Sequence, residues 1–248
     1  MIEFKNIRKA FGPKLVLDGV DLTIHDGEVF FIIGASGAGK SVLIKHLIGL
    51  IKPDDGEIIL DGDDVAKLTE TQLYRVRKLC AMVFQHATLF DSMTCAENVA
   101  LPLRKHRGLS PKDALDEARR RLEQVHMHAY SERYPAELGD GMRKRVAIAR
   151  ALTVDPRYVL FDEPTTSLDP VNARRVDKLI RELSDKLGVT SIVVSHDLAS
   201  IFAIADRVAF LYKGKLRKVG TPQEFLEQTQ DPIVRQFIRG EADGPMEV

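Results

Sequence analysis

Alternation between apolar and polar positions marks the first part of the chain as β structure. Ile2 and Phe4 alternate with polar residues, and apolar runs separated by Asp-Gly pairs continue to residue 28. Asp-Gly between apolar runs is typical of tight turns between antiparallel strands. Residues 29–33 (VFFII) are apolar without interruption, which predicts a strand buried on both faces. Another strand pair with Asp-Gly turns is predicted at 55–65.

Helical spacing dominates from about residue 66 to residue 155. At 110–125 the sequence SPKDALDEARRRLEQV repeats apolar residues at intervals of three and four. Ser110 is a suitable N-cap and Pro111 suits the first helical position, so a helix is predicted from there.

Short apolar strands return at 158–161, 191–194 and 208–211, with helical segments between them. Strands that alternate with helices indicate a parallel sheet covered by helices. We therefore predict an α/β fold: a mostly parallel sheet with flanking helices, an antiparallel β subdomain and a helical insertion. The final residues, EADGPMEV, are polar and are expected to be loosely held.

The bulk composition argues against several classes of protein. The 248 residues carry 36 Lys and Arg against 36 Asp and Glu, and a net charge of zero disfavours a nucleic-acid coat protein. The two cysteines, Cys80 and Cys95, lack CxxC spacing and no secretion signal precedes them, which favours a reducing cytosol. No window has the roughly 18 uncharged apolar residues of a membrane span. If the protein acts at a membrane, we expect another chain to cross it.

A glycine-rich loop, GASGAGKS at 34–41, follows the predicted strand at 29–33 and precedes a helical pattern that stops at Gly49. This context matches the phosphate-binding pattern G-x-x-x-x-G-K-[ST]. The loop glycines allow backbone N–H groups to surround phosphate oxygens without a clash from a Cβ. Lys40 is expected to reach the β- and γ-phosphates, and the Ser41 hydroxyl to coordinate Mg²⁺. The alternative is a glycine-rich turn that binds nothing, which this context disfavours.

Polar side chains follow three predicted strands. YVLFDE at 158–163 ends in Asp162, which is placed to hold Mg²⁺, and Glu163, which can polarise a water for in-line attack. His196 follows SIVVS and Gln85 follows AMVF, so both leave the end of a predicted strand. A lone His or Gln in such a place is usually structural. We assign these two a function only because the sequence also contains the glycine-rich loop and the Asp-Glu pair.

These motifs together resemble the nucleotide-binding subunit of ABC transporters, across nearly the whole chain. The loop at 34–41 is similar to the Walker A loop, YVLFDE to the Walker B strand, Gln85 to the Q-loop, SLD at 167–169 to the D-loop and His196 to the switch histidine. The resemblance implies a P-loop NTPase core that binds ATP and Mg²⁺, hydrolyses ATP and pairs head to tail with a second copy of itself.

The resemblance also implies roles for individual residues. Catalytic roles fall to Glu163, His196, Gln85 and Lys40, and metal contacts to Ser41, Gln85 and Asp162. Nucleotide contacts fall to Phe11, Gly34, Ala35, Ser36, Gly37, Ala38, Gly39, Lys40, Ser41, Val42, Gly139, Asp140, Gly141 and Asp169, with Phe11 in place of the more usual Tyr against adenine.

One nucleotide-binding domain, 1–248, is expected on this interpretation. The core with its β subdomain would occupy 1–84 and 156–230. The helical subdomain would occupy 85–155 and carry the signature, and a C-terminal tail would follow at 231–248.

The segment ELGDGMRKRVAIARAL at 137–152 stands where the family has its signature, L-S-G-G-Q followed by a basic helix. In the family the signature of one subunit approaches the γ-phosphate held by the other. Gly139 replaces Ser, which removes a hydroxyl donor, and Asp140 replaces Gly, which brings a carboxylate towards a phosphate. We expect weaker ATP-driven dimerisation or slower turnover, unless Asp140 turns outward and hydrogen-bonds its own helix start. The basic residues 143–145 match the basic helix that follows the family signature. The alternative is that they form only a solvated helix face.

A narrower resemblance points to the ATPases of bacterial MCE-type lipid transport systems, the Mla group. It lies in Met142 followed by RKRVAIARAL, in SHDLASIFAIADRVAFLYKGK and in DPIVRQFIRGEADGP. It implies a multipass permease, an MCE-domain protein and a small STAS-domain protein as partners, with glycerophospholipid as cargo. The chain would then be peripheral, on the cytoplasmic face of the inner membrane. Within the tail, IVRQFI would dock on a neighbouring subunit or form a frayed amphipathic end.

Other functions stay open from the sequence. An importer for amino acids or another small solute would use the same ATPase. A nucleotide-binding scaffold that hydrolyses poorly is favoured by Gly139 and Asp140 and disfavoured by Glu163 and His196. An ABC protein acting on DNA or ribosomes usually has two nucleotide domains or long coiled-coil arms, and neither is present here. Cargo and direction of transport are not encoded in this chain, because in the family a separate subunit carries the cargo path.

Overall fold

Ten strands form two sheets in the structure, a computed structural model that describes residues 1–247. The strands are β1 (Ile2–Phe11), β2 (Lys14–Ile24), β3 (Val29–Ile33), β4 (Asp55–Leu60), β5 (Asp63–Asp64), β6 (Cys80–Val83), β7 (Tyr158–Asp162), β8 (Thr190–Val194), β9 (Arg207–Tyr212) and β10 (Lys215–Gly220).

Nine α-helices, with four short 3₁₀ turns, accompany these strands within the described residues. They are α1 (Lys40–His46), α2 (Glu70–Leu79), α3 (Cys95–Arg107), α4 (Pro111–Gln124), α5 (Asp140–Ala151), α6 (Pro170–Leu187), α7 (Leu198–Ile204), α8 (Pro222–Glu227) and α9 (Pro232–Arg239).

The larger sheet has the strand order β10-β9-β3-β8-β7-β6, and all its neighbours are parallel except β10 with β9. The predicted strand at 29–33 is β3, in the interior of this sheet and fully buried. Its side chains alternate between two hydrophobic clusters, with Phe31 in one and Phe30 in the other. The predicted α/β fold is confirmed. The carboxyl ends of β3, β6, β7 and β8 meet at one edge, which is where such sheets bind ligands.

The smaller sheet is antiparallel, in the order β2-β1-β4-β5, as the Asp-Gly turns predicted. It packs on one face of the larger sheet together with α1 and α2, through residues such as Phe4, Ile24 and Leu43. The helix that follows the glycine-rich loop is shorter than the sequence pattern predicted. It ends at His46 instead of continuing to Gly49, which lies in a turn with a left-handed conformation.

Helices α3, α4 and α5 pack on one another, and α5 also contacts β6 of the larger sheet and α6. The predicted helix at 110–125 is α4. Ser110 caps it by accepting a hydrogen bond from the Asp113 N–H at 3.2 Å, and Pro111 is its first residue. Residues 66–155 are not helical throughout, because β6 pairs in parallel with β7 inside that range. Gln85 therefore follows a strand of the core sheet before the chain enters the helices.

Both cysteines are buried free thiols. Burial raises the pKa of Cys80 to about 12 and that of Cys95 to about 11. Such thiols are unreactive at neutral pH, which agrees with a protein that keeps its cysteines reduced.

The tail differs from the sequence prediction. Residues 232–239 form α9, whose Val234 and Ile238 are buried in the core of this same chain, with Phe237 5.1 Å from Phe210 between ring centroids. The segment after it is also held, since the Met246 N–H donates to Gln236 Oε1 at 2.7 Å. IVRQFI therefore does not form the frayed end that the sequence left open, because the apolar face of α9 packs on its own chain. Residues 241–245, in the stretch predicted to be loosely held, are exposed. Val248 lies outside the described residues.

Candidate functional site

The glycine-rich loop joins β3 to α1 at the carboxyl edge of the larger sheet. Gly34, Gly37 and Gly39 have φ angles of 144°, 76° and 102°, which L side chains rarely adopt. A Cβ on Gly34 would lie 2.0 Å from the Leu211 carbonyl oxygen, so this position is closed to any other residue. A Cβ on Gly37 would meet nothing within 4 Å. The loop is therefore packed from behind and open in front, which suits a cradle for phosphate oxygens.

A cavity of about 330 Å³ lies in front of the loop. Its wall is formed by Phe11, Lys14, Val16, Gly37, Gly39, Lys40, Ser41 and Val42. Phe11 ends β1 with 48% of its surface exposed, and the Lys9 ammonium lies 5.4 Å from its ring centroid. An exposed aromatic ring beside a phosphate-type loop can stack on a nucleobase.

Lys40 lies across the loop rather than in open solvent. Its Nζ donates to the carbonyl oxygens of Gly34 at 2.8 Å and Ala35 at 3.0 Å. Burial lowers the pKa of Lys40, and the nearby Glu163 and Asp162 oppose that shift. A buried ammonium bound only to neutral carbonyls fits an anionic ligand, because a triphosphate would supply the missing counter-charge.

Ser41 and Asp162 lie together at the carboxyl edge of the larger sheet. Ser41 Oγ donates to Asp162 Oδ1 at 2.5 Å, and Lys45 Nζ lies 3.6 Å from Asp162 Oδ2. Within residues 1–247 no group of three or more His, Cys, Asp or Glu side chains could hold a metal ion. One hydroxyl and one carboxylate fit Mg²⁺, which is usually bound through few protein oxygens and the phosphates of its substrate.

Glu163 and His196 are in direct contact. His196 Nδ1 lies 2.9 Å from Glu163 Oε2, and Thr166 Oγ1 donates to the same oxygen at 3.0 Å. Glu163 has a φ of 51°, which is uncommon for any residue other than glycine and is typical of a strained functional position. The carboxylate is largely buried while the imidazole is mostly exposed. This pair can hold a water beside the open side of the loop and take a proton from it.

A partly buried ionic cluster lies next to His196, and the sequence motifs did not indicate it. Arg174 on α6 contacts Asp177 at 3.0 Å and Asp197, the residue after His196. Asp197 also caps α7 by accepting from the Ala199 N–H at 2.9 Å. Burial raises the pKa of Asp177 to about 6. The cluster ties the position of His196 to the helix that follows the D-loop.

Gln85 lies apart from the loop, on the wall of a second cleft of about 280 Å³. Asp140, Lys144, Thr166 and Ser167 line the same cleft. Gln85 is exposed, and its main-chain carbonyl oxygen accepts a hydrogen bond from Lys144 Nζ. This arrangement brings the Q-loop, the signature helix and the D-loop to one cleft.

The signature residues form the start of α5. Gly139 is its N-cap with an ordinary φ of −69°, and no side chain caps the helix. Gly141 is buried, and a Cβ there would lie 3.2 Å from the Asn172 side chain. Asp140 is 59% exposed at its side chain and forms an ion pair with Arg143 on its own helix. The carboxylate thus turns outward and pairs with a side chain of its own helix. It does not hydrogen-bond the helix start, so the alternative that the sequence left open is met only in part.

Asp169 serves its own chain as the N-cap of α6. Its Oδ1 accepts from the N–H groups of Val171 and Asn172, both at 3.0 Å, and its Oδ2 accepts from the Asn172 side chain at 2.5 Å. Neither Asp169 nor the signature residues line the cavity at the loop. In the single chain, the residues around the glycine-rich loop are therefore Phe11, Asp162, Glu163 and His196. The signature residues lie outside this site.

Lys144 is the site residue that sequence reasoning missed. It is 4% exposed, so residues 143–145 are not a uniformly solvated face. Burial lowers the pKa of Lys144 to about 8. Its spacing from the buried Gly141 and Ile148, three and four residues away, was the available signal.

Comparison with known proteins gives consistent matches. A family model described as ABC transporter matches residues 17–166. The chain is 38% identical over 246 residues to the intermembrane phospholipid transport system ATP-binding protein MlaF of Haemophilus influenzae, covering 99% of this chain and 93% of that protein. It is 37% identical over 245 residues to the probable ribonucleotide transport ATP-binding protein mkl of Mycobacterium tuberculosis, covering 99% of this chain and 68% of that protein. A dimeric ATP-binding cassette in a post-hydrolysis state bound to ADP and phosphate matches at 32% identity with a TM-score of 0.80, over 90% of this chain and 99% of that one.

Proposed function

The chain belongs to the ABC transporter family of ATP-binding subunits, and we propose that it hydrolyses ATP in a head-to-tail dimer to drive phospholipid transport through a separate permease. The observation that supports phospholipid as the cargo is the 38% identity over 246 residues to a phospholipid-transport ATPase. That similarity extends over 99% of the chain, including the tail that packs on the core.

Each residue at the carboxyl edge has a chemical role in this proposal. The loop amides and Lys40 bind the phosphates, while Ser41 and Asp162 hold Mg²⁺, which would neutralise phosphate charge. Glu163 takes a proton from the attacking water. Its contact with His196 Nδ1 at 2.9 Å fixes the carboxylate and leaves the exposed side of the imidazole to face the γ-phosphate. A scaffold that does not hydrolyse ATP has no need for this pair.

A second copy completes the site in this proposal. The signature residues line a different cleft from the nucleotide cavity of their own chain. A head-to-tail partner would bring its α5 N-terminus to the phosphates, where backbone N–H groups and the helix dipole favour an anion. The dimeric cassette of similar fold supports this pairing.

Other partners are needed to move a lipid. No helix among residues 1–247 is long and apolar enough to cross a membrane. We infer a multipass permease, an MCE-domain protein and a small STAS-domain protein as partners, and a peripheral position at the cytoplasmic face of the inner membrane. Nucleic acid is not among the inferred partners.

Purification of the chain with its membrane partners tests the cargo. We expect glycerophospholipid in the complex and ATP-dependent lipid transfer after reconstitution into vesicles, with transfer lost in a Glu163→Gln complex. Reconstituted complex that moves a small solute but no lipid contradicts the proposal.

A small-solute transporter is the second candidate. The observation in its favour is the 37% identity to a protein described as a probable ribonucleotide transport subunit. That match covers only 68% of the relative, against 93% for the phospholipid relative, so lipid is preferred. Stimulation of the ATPase of the complex by a small solute rather than by lipid would favour this candidate.

Asp140 pairs with Arg143 in the single chain but does not cap the start of α5. In the proposed dimer its carboxylate would still lie near phosphate, so we expect a slow ATPase that two substitutions would accelerate. We expect Gly139→Ser with Asp140→Gly to raise kcat about fivefold, about 1 kcal/mol in barrier height, and to strengthen ATP-dependent dimerisation. Serine fits at 139, where an added Cβ meets nothing within 4 Å. Loss of Asp140 removes a carboxylate whose exposed pairing with Arg143 neutralises it only weakly.

The single variant Asp140→Asn serves as the control, because it removes the charge and keeps the shape. Turnover is measured with the membrane partner present, and dimerisation by size-exclusion chromatography with ATP. No gain in either quantity shows that Asp140 does not face phosphate in the dimer.

A further inference from the structure

The aromatic ring of Phe11 lines the cavity at the glycine-rich loop but is held by little packing. It is 48% exposed, and within residues 1–247 it joins neither hydrophobic cluster and pairs with no other aromatic ring. Phenylalanine also has no hydroxyl that could bond to a neighbour. A ring that turns freely loses that freedom when a base stacks on it, which weakens binding.

The Lys9 ammonium supplies a contact that restricts the ring. Its Nζ lies 5.4 Å from the centroid of the Phe11 ring, within the range of a cation–π interaction. The Lys9 side chain is only 15% exposed, and Lys9 is not part of the cavity wall, whereas Phe11 is. The ammonium therefore contacts the ring from outside the cavity and leaves the cavity side open to a base.

Asp54 fixes the Lys9 ammonium in turn. Asp54 Oδ1 accepts a hydrogen bond from Lys9 Nζ at 2.7 Å, and Asp54 Oδ2 accepts from the Ala10 N–H at 2.7 Å. The hydrogen bond from Lys9, with that from Ala10, lowers the pKa of Asp54, so the carboxylate is charged at neutral pH. One carboxylate thus holds both the lysine head group and the main chain directly before Phe11.

The backbone of β1 is irregular at the same place. The pairing register of β1 with β2 shifts between Lys9 and Ala10, and the turn after Phe11 contains Gly12 with a φ of 58°. Irregular pairing redirects the side chains beside it. Asp54 lies in the connection between α1 and β4, so its bonds tie this end of β1 to the segment that follows the helix of the phosphate loop.

We propose that Lys9 and Asp54 are positioning residues for the nucleobase, because their ion pair holds the Phe11 ring in the orientation that stacks on a base. This rests on the proposed function, which puts a nucleotide in this cavity. The ion pair then strengthens binding of the base and has little effect on the phosphates, which the loop and Lys40 bind. The alternative is that Lys9 contacts the nucleotide directly.

Binding of two ligands to the full-length chain tests the proposal. The ligands are ATP and inorganic tripolyphosphate, which has no base, and their affinities are measured by calorimetry without Mg²⁺ so that ATP is not consumed. Lys9→Met is expected to weaken ATP binding about fivefold and to leave tripolyphosphate binding within about twofold of wild type. Lys9→Arg keeps a cation that can pair with Asp54 and stack on the ring, so its ATP affinity is expected to stay within about twofold. Unchanged ATP affinity in Lys9→Met overturns the proposal.

A double-mutant cycle with Phe11→Leu separates positioning from direct contact. If Lys9 acts through the ring, Lys9→Met is expected to lower ATP affinity by less than about twofold once Phe11→Leu has removed the ring. A further loss of about fivefold in that background means that Lys9 contacts the nucleotide itself, and it overturns the proposal. Equal losses for ATP and tripolyphosphate in Lys9→Met also overturn it, because they show an effect on the fold or on the phosphates.

Lys5→Met is the matched control, because Lys5 lies on the same strand, pairs with Glu3 and is not part of the cavity wall. Both of its affinities are expected to match wild type. If Lys9→Met does not fold, Asp54→Asn tests the same pair. It keeps an acceptor for the Ala10 N–H and removes the charge that holds Lys9, so ATP binding is expected to weaken about threefold with tripolyphosphate binding unchanged. Unchanged ATP binding in Asp54→Asn counts against the pair.

The wild-type chain separates this inference from the proposed function. A chain that binds neither ligand contradicts the nucleotide site itself. A chain that binds ATP no more tightly than tripolyphosphate keeps the phosphate site and overturns only the positioning role, because the base then adds no affinity.

Discussion

Replacement of Glu163 by glutamine is expected to reduce ATP turnover about a thousandfold while ATP binding is retained. The carboxylate is the only acid in direct contact with His196 within the described residues. Glutamine has the same size, tolerates the φ of 51° no worse than glutamate, and can still accept from His196 through its amide oxygen. It cannot take a proton from water, so the chemical step alone is lost.

Single-turnover ATPase assays and nucleotide binding measure this effect. We expect ATP, but not ADP, to hold the variant as a dimer in size-exclusion chromatography, since bound ATP is no longer consumed. Glu182→Gln is the control, because Glu182 pairs with Lys178 and Lys186 on the same helix, α6, outside the site. Turnover within tenfold of wild type in Glu163→Gln would show that another group acts as the base.

Lys40→Ala is expected to weaken ATP binding about a hundredfold, which corresponds to about 3 kcal/mol. Its ammonium lines the cavity in front of the loop and is bonded to the carbonyl oxygens of Gly34 and Ala35. Removal takes away the one ammonium within residues 1–247 that is bonded to the loop itself. Turnover should fall in proportion at low ATP concentration.

The unliganded fold should tolerate this change. Burial lowers the pKa of Lys40, which means that the folded chain disfavours the charge in the absence of a ligand. We expect a Tm for Lys40→Ala no lower than that of the exposed-lysine control Lys52→Ala, measured without nucleotide. Calorimetric ATP affinity equal to wild type in Lys40→Ala would remove the basis of the nucleotide site.

Local patterns determined much of the fold. The uninterrupted apolar run at 29–33 predicted β3, and the Ser110-Pro111 pair predicted the start of α4. The glycine-rich loop was predictable because its φ angles and its packing against Leu211 admit few other residues. These features depend on neighbours in sequence and on side-chain chemistry, which a single sequence records.

Contacts between distant segments could not be predicted in this way. The sequence left IVRQFI as a contact for a neighbouring subunit or a frayed end, but α9 packs on Phe210, which only the completed sheet presents. The direction of Asp140 depended on Arg143 being free to pair with it. Glu163 and His196 were each expected at the end of a strand, but their contact at 2.9 Å follows from the parallel pairing of β7 with β8.

By itself, the sequence determined the class of fold, the phosphate loop and the set of polar residues at the strand ends, because turn chemistry and apolar periodicity act over a few residues. The tertiary structure alone decided that Lys144 is buried against the main chain of Phe84 and Gln85 and that α9 packs on Phe210. The physical reason is that burial and hydrogen-bond partners are set by which segments pack together, and a charged side chain carries no local sign of whether water or protein will surround it.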